Sequence, residues 1–246
     1  MKVITTLLDR ADVFEYAISS VAMKGNREFC WNATRLQSGK ESSPLAKAML
    51  NRKAFEKFDQ FIPAEATGFS LTGFVDLEVL YDMVLDFIAK EIPDGAGAVA
   101  QWNGILAKVG FDPKADLFAW WSGEMATISM PPAVVTPMGG SDGVFMIRVK
   151  NAELARTKLN GTVDMLKAKL QAEGQMLTIS PAKVDAEGFR EIMHPSLAMF
   201  MKPVIGVQGD WMMVGSSGTA VQKCLDVSAG KAPSVMKNAR FSEEGL

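Results

Sequence analysis

Residues 143–155, GVFMIRVKNAELA, and residues 68–80, GFSLTGFVDLEVL, carry the reading that decides the fold. Each begins as an apolar, strand-like run, meets a short polar residue (Asn151 or Asp76), and places a glutamate two positions later (Glu153 or Glu78). A side-chain oxygen at the cap satisfies helix N–H groups that lack partners, and an acidic residue in the first turn meets the positive end of the helix dipole. Both stretches therefore predict a strand running straight into a helix. A second correspondence links Ser43-Pro44-Leu45 through Phe55 with Pro233-Ser234-Val235 through Phe241. Each of these ends in a tail of one basic residue, one alanine and a phenylalanine. The two correspondences keep the same order, which predicts a duplicated β-α-β unit.

Downstream of Asn151, the stretch from Ala152 to Glu173 places Leu154, Leu159, Val163, Leu166 and Leu170 on one side of a long helix. Strand-like runs follow at Gln175–Ser180, Gly188–His194, Leu197–Val207 and Trp211–Gly215, divided by Pro181, Asp185, Pro195 and Gly209-Asp210. This spacing predicts an antiparallel meander packed on that helix. The turn Gly215-Ser216-Ser217-Gly218 then opens a helix from Thr219 to Val227.

Upstream, Asp76 caps a helix bearing Leu77, Leu80, Tyr81, Val84, Leu85 and Ile88, which Pro93-Asp94-Gly95 stops. A short helix is expected at Trp102–Val109, and Leu117–Trp121 leads through Ser122-Gly123 to a strand at Glu124–Met130. Phe14–Met23 and Arg27–Thr34 read as a hairpin around Lys24-Gly25-Asn26. Leu45, Met49, Leu50, Phe55, Phe58 and Ile62 suggest two short helices ended by Pro63. Pro131 to Gly143 holds three prolines and three glycines, so it reads as a loop. The expected class is α+β: repeated strand, helix and antiparallel-sheet units, with helices packed on mainly antiparallel meanders. The units fall at residues 1–132 and 141–246, with 131–143 as loop or linker.

The phrase Gly209-Asp210-Trp211-Met212-Met213-Val214-Gly215-Ser216-Ser217, a following helix, Ser234 to Phe241, and Trp121-Ser122-Gly123-Glu124 before a strand together resemble the bacterial family designated domain of unknown function 3352. The resemblance covers about residues 43–246. It implies a bacterial protein of envelope, periplasmic or secreted type, and it brings no catalytic residues. Met1 to Arg10 holds only a short apolar stretch and no export signal. The second unit also stops before its repeat is complete, which suggests a fragment of a longer protein. On that reading Val235, Met236 and Phe241 have fewer partners than their counterparts.

Composition narrows the function. Net charge is −2, with 26 basic and 28 acidic residues, which does not supply the concentrated positive field of a nucleic-acid binder. No apolar run approaches a bilayer span, so the chain reads as soluble. Cys30 and Cys224 lie far apart in apolar runs and read as buried thiols rather than a disulfide. One histidine, His194, and two distant cysteines do not make an ordinary zinc site, and no complete phosphate loop is present. No cofactor is expected.

Three further features have a functional and a plain reading. Gly215-Ser216-Ser217-Gly218-Thr219 precedes a helix N-terminus and would suit an anion, but it reads better as a turn capped by Ser217 or Thr219. Glu124, beside Trp120 and Trp121, suggests a carboxylate suited to acid–base chemistry, for which a partner carboxylate would be needed. Met193, Met199, Met201, Met212 and Met213, among 16 methionines, could ligate Cu(I) or form an adaptable apolar docking surface, but read better as core filling beneath the long helix. No catalytic, cofactor or metal residue is assigned. The leading expectation is a non-enzymatic binding or structural module facing a protein or envelope component. The alternatives are a hydrolase using carboxylates near Glu124 and a carrier of apolar ligands in a Met/Trp-lined cavity.

Overall fold

The computed structural model describes residues 13–24, 27–43, 45–47, 57–73, 76–132, 141–195 and 201–243. They form an α+β protein with two antiparallel sheets. The chain divides into two compact units: Met1–Arg52 with Val75–Lys114, and Lys53–Phe74 with Ala115–Leu246.

In the first unit, β1 (Phe14–Lys24) and β2 (Arg27–Leu36) form a two-stranded ribbon. The strands pair from Lys24↔Arg27 to Phe14↔Leu36, and the Gly25-Asn26 turn lies outside the described residues. Of the two helices expected between Pro44 and Phe61, residues 45–47 are helical and Phe58–Gln60 is a short 3-10 turn; 48–56 lie outside the description.

Helix α1 (Leu77–Glu91) starts where the sequence places it: Asp76 accepts a hydrogen bond from the Val79 N–H. Helix α2 (Gly95–Val109) is longer than the expected Trp102–Val109. Gly95 starts it rather than merely ending α1, because a Cβ there would lie 1.8 Å from the Ile88 carbonyl oxygen. Only glycine lets the two helices turn so tightly.

The second unit is built on a seven-stranded sheet in the order β3-β4-β5-β9-β8-β7-β6. These strands are β3 (Gly68–Thr72), β4 (Trp121–Met130), β5 (Asp142–Val149), β6 (Thr178–Pro181), β7 (Arg190–Met193), β8 (Val204–Gln208) and β9 (Trp211–Gly215). Strands β6 to β9 form the antiparallel meander, and its last hairpin turns at Gly209, φ 54°. The stretch 131–143 connects β4 and β5, which are hydrogen-bonded neighbours in this one sheet. The run expected as a strand from Leu197 pairs only from Val204, and residues 196–200 lie outside the description.

Strand alternation divides the core between the two faces of the sheet. On one face Ala126, Ile128, Met130, Val144, Met146 and Met213 meet Ala220, Val221, Cys224 and Leu225 of α4 (Gly218–Ser228). On the other, Ile147, Val149, Val207 and Met212 meet Ala155 and Leu159 of α3 (Ala152–Ala172), together with Trp120. The Asn151 side chain caps α3 by accepting from the Leu154 N–H, as Asp76 does for α1.

The chain end closes the first face. Pro63 bridges Ser234, the Ala64 N–H donates to the Pro233 carbonyl, and the Val235 N–H donates to that of Ile62. Val235 and Phe241 are buried in the main core, against the expectation that both would be short of partners, whereas Met236 is exposed. Phe241 of α5 (Ala239–Glu243) packs against Phe69, their ring centres 5.7 Å apart.

Candidate functional site

Glu124 is the buried charged residue among those described, and a break in strand register puts it there. Trp121 pairs with Val149 and Met125 with Ile147, so Ser122, Gly123 and Glu124 together oppose Arg148 alone. Such a bulge needs unusual backbone, which Gly123 supplies at φ 90°. The strand therefore begins at Trp121, three residues before the expected Glu124.

Within the bulge, Arg148 Nη1 donates to Glu124 Oε2 at 2.8 Å, and the Glu124 N–H donates to Ser122 Oγ at 3.3 Å. The guanidinium lies over Trp211 at 5.7 Å from the ring centre, and its Nη2 is 4.0 Å from Asp210 Oδ2. Phe61 meets the same indole edge-on. The second carboxylate in this cluster, Asp210, therefore meets the other end of one guanidinium, with the cation between it and Glu124. The arrangement ties the end of β4 to β5 and to the β8–β9 turn.

The Gly215 to Thr219 turn holds its own anion. Ser217 caps α4 by accepting from the Ala220 N–H, and Asp142 Oδ1 accepts from both Ser216 Oγ (3.0 Å) and Ser217 Oγ (3.3 Å). A carboxylate thus sits beside the helix start, where the dipole favours negative charge. Gly215 packs so closely that a Cβ would lie 2.4 Å from Val221 Cγ2.

His194 follows β7 and is half-buried. Among the described residues no group of three or more His, Cys, Asp or Glu could hold a metal ion. Cys224 is a free, buried thiol, and burial pushes its pKa up from 9.0 to about 12. The methionines do not form one group: Met213 fills the core on the α4 side and Met212 on the α3 side. Met193 is half-buried, and Met201 precedes its strand and is exposed rather than buried beneath the helix. Met199 lies outside the description.

The first unit is built differently. Its buried hydrophobic side chains, among the described residues, are Val13 and Ala46. Helix α1 buries no residue and α2 only Gly95, although Val84, Trp102, Ile105 and Val109 are apolar and exposed. In β1, residues 15–23 are all exposed, including Tyr16 (43%), Ile18 (53%), Val21 (60%) and Met23 (66%). A row of this kind has no motif in the sequence to announce it. The hairpin pattern was legible, but whether anything packs on a hairpin is set by distant chain.

No helix among the described residues is long and apolar enough to cross a membrane. No protein-family model, no curated protein and no solved structure matches the chain.

Proposed function

We propose that this chain is a non-enzymatic binding or structural module, with the β1–β2 ribbon as its docking surface. One observation carries the reading: the second unit closes a core on both faces of its sheet, whereas β1 leaves Tyr16, Ile18, Val21 and Met23 in water. Exposed apolar rows of this kind mark interaction sites, since leaving them in water costs free energy that a partner recovers. A two-stranded ribbon alone is also marginal in water and gains from added strands or a covering layer. The family resemblance points to a protein or envelope component of a bacterium as the partner.

The polar clusters suit structural roles. The carboxylate of Glu124 is engaged by Arg148, and Asp142 completes the start of α4. The test is capture from a bacterial envelope extract, comparing the native chain with an Ile18→Glu/Met23→Glu variant of equal melting temperature. A component retained by the native chain and lost with the variant supports the ribbon as the surface. Identical retention by both, or by neither, removes it.

A further inference from the structure

We infer that the outer edge of β1 pairs antiparallel with β1 of a second copy of this chain. The result is a continuous four-stranded sheet, β2-β1-β1-β2, across a two-fold axis. The inference rests on the ribbon being an interaction surface, and it names one occupant for its edge. Among the described residues β1 pairs only with β2, so half of its backbone N–H and C=O groups point away from the described strands.

Natural edges are usually protected by a charge, a proline or a short length. The outer edge of β1 has none of these between residues 16 and 23: YAISSVAM is uncharged and free of proline, in a strand of 11 residues. The strand is also complementary to itself. A two-fold axis perpendicular to a sheet pairs residues of the same parity, and the register that uses the whole strand centres on Ser19. It sets Tyr16 opposite Ala22, Ala17 opposite Val21, Ile18 opposite Ser20, and Ser19 opposite Ser19 of the other copy. Tyr16, Ile18 and Val21 each meet a small side chain, while Glu15 meets Met23 and Phe14 meets Lys24, so no like charges oppose each other. This is the cross-strand fit that stabilises a sheet pair. A parallel pairing would place each Glu15 near its own copy.

The prediction is read first by light scattering on the intact chain, where the expected mass is twice 26.7 kDa. Ser19→Asp sets two carboxylates against each other on the axis and is expected to halve that mass. Ser19 is exposed, so circular dichroism should be unchanged. Ser19→Cys is expected to form a disulfide-linked dimer under mild oxidation, because directly opposed residues of antiparallel strands lie within disulfide reach. A monomeric native chain overturns the inference, as does a dimer that Ser19→Asp leaves intact or that Ser19→Cys fails to trap. None of these results depends on the envelope capture experiment: a dimer that Ser19→Asp splits and Ser19→Cys traps supports the edge pairing whether or not an envelope component is retained.

Discussion

Arg148 Nη1 lies 2.8 Å from Glu124 Oε2, across a register break that gives three residues of β4 to one residue of β5. Glu124 has a side chain only 9% exposed and Arg148 one that is 28% exposed, so the pair is far less screened than a surface ion pair. Removing the cation leaves a carboxylate in an apolar wall. Arg148→Met should cost about 2–4 kcal/mol, somewhat less than the roughly 3–5 kcal/mol of a fully buried pair because Arg148 reaches solvent. Glu124→Leu combined with Arg148→Met should recover most of that loss. Urea denaturation of the three variants measures it, and a single variant within experimental error of the native chain would contradict the assignment.

Gly206 in β8 faces the Phe189 ring, and a Cβ there would lie 2.4 Å from ring carbons. Phe189 is itself buried, so the ring has little room to give. Gly206→Ala should destabilise by about 1–3 kcal/mol, the cost of overpacking a tight core. Adding Phe189→Leu should cost less on the Gly206→Ala background than on the native one. A thermal-melt cycle of the four proteins tests the coupling.

Asn151 and Asp76 each accept a hydrogen bond from the N–H three residues on. Loss of either cap by alanine substitution should cost about 1 kcal/mol. Asn151→Asp should be neutral or slightly stabilising, since it keeps the acceptor and adds charge at the favourable end of α3. Chemical denaturation of each variant provides the comparison.

The Cys224 thiol, on the buried face of α4, should resist alkylation in the native protein at pH 8 and react fully once unfolded, as site-resolved mass spectrometry would show. Its pKa is raised from 9.0 to about 12 by burial. Between those values the unfolded chain gives up a proton that the folded chain keeps, so folding stability is whole below pH 9 and falls as pH rises toward 12. The slope is at most about 1.4 kcal/mol per pH unit, and Cys224→Ala should flatten it.

Locally written features were legible in the sequence. Asp76 and Asn151 announce their helices by the chemistry of a cap, and Gly209-Asp210 announces its hairpin by a positive φ. The meander from Thr178 to Gly215 follows from short strands closed by turn residues. What could not be read is pairing between distant segments. Pro131 to Gly143 says loop, but nothing in it says that the strands on either side are neighbours. The sequence marks Glu124 only by its indole neighbours, whereas its charge partner, Arg148, lies on another strand. Val235 and Phe241 have no local partners because those they pack with, Phe61, Ile62 and Phe69, lie far back in the chain.

That distance matters while the chain is being made. Asn238 Nδ2 donates to the Ala64 carbonyl across 174 residues, and the same clasp buries Phe61 and Ile62. At about 5–20 residues per second of synthesis, those two side chains wait roughly 10–35 s on the ribosome before their lid exists. Throughout that interval the nascent polypeptide carries a sticky, half-formed hydrophobic wall, because the segment that closes it has not yet been made, and closure afterwards still costs the entropy of a long loop. The protein should therefore depend on a holding chaperone in the cell more than its final stability would suggest.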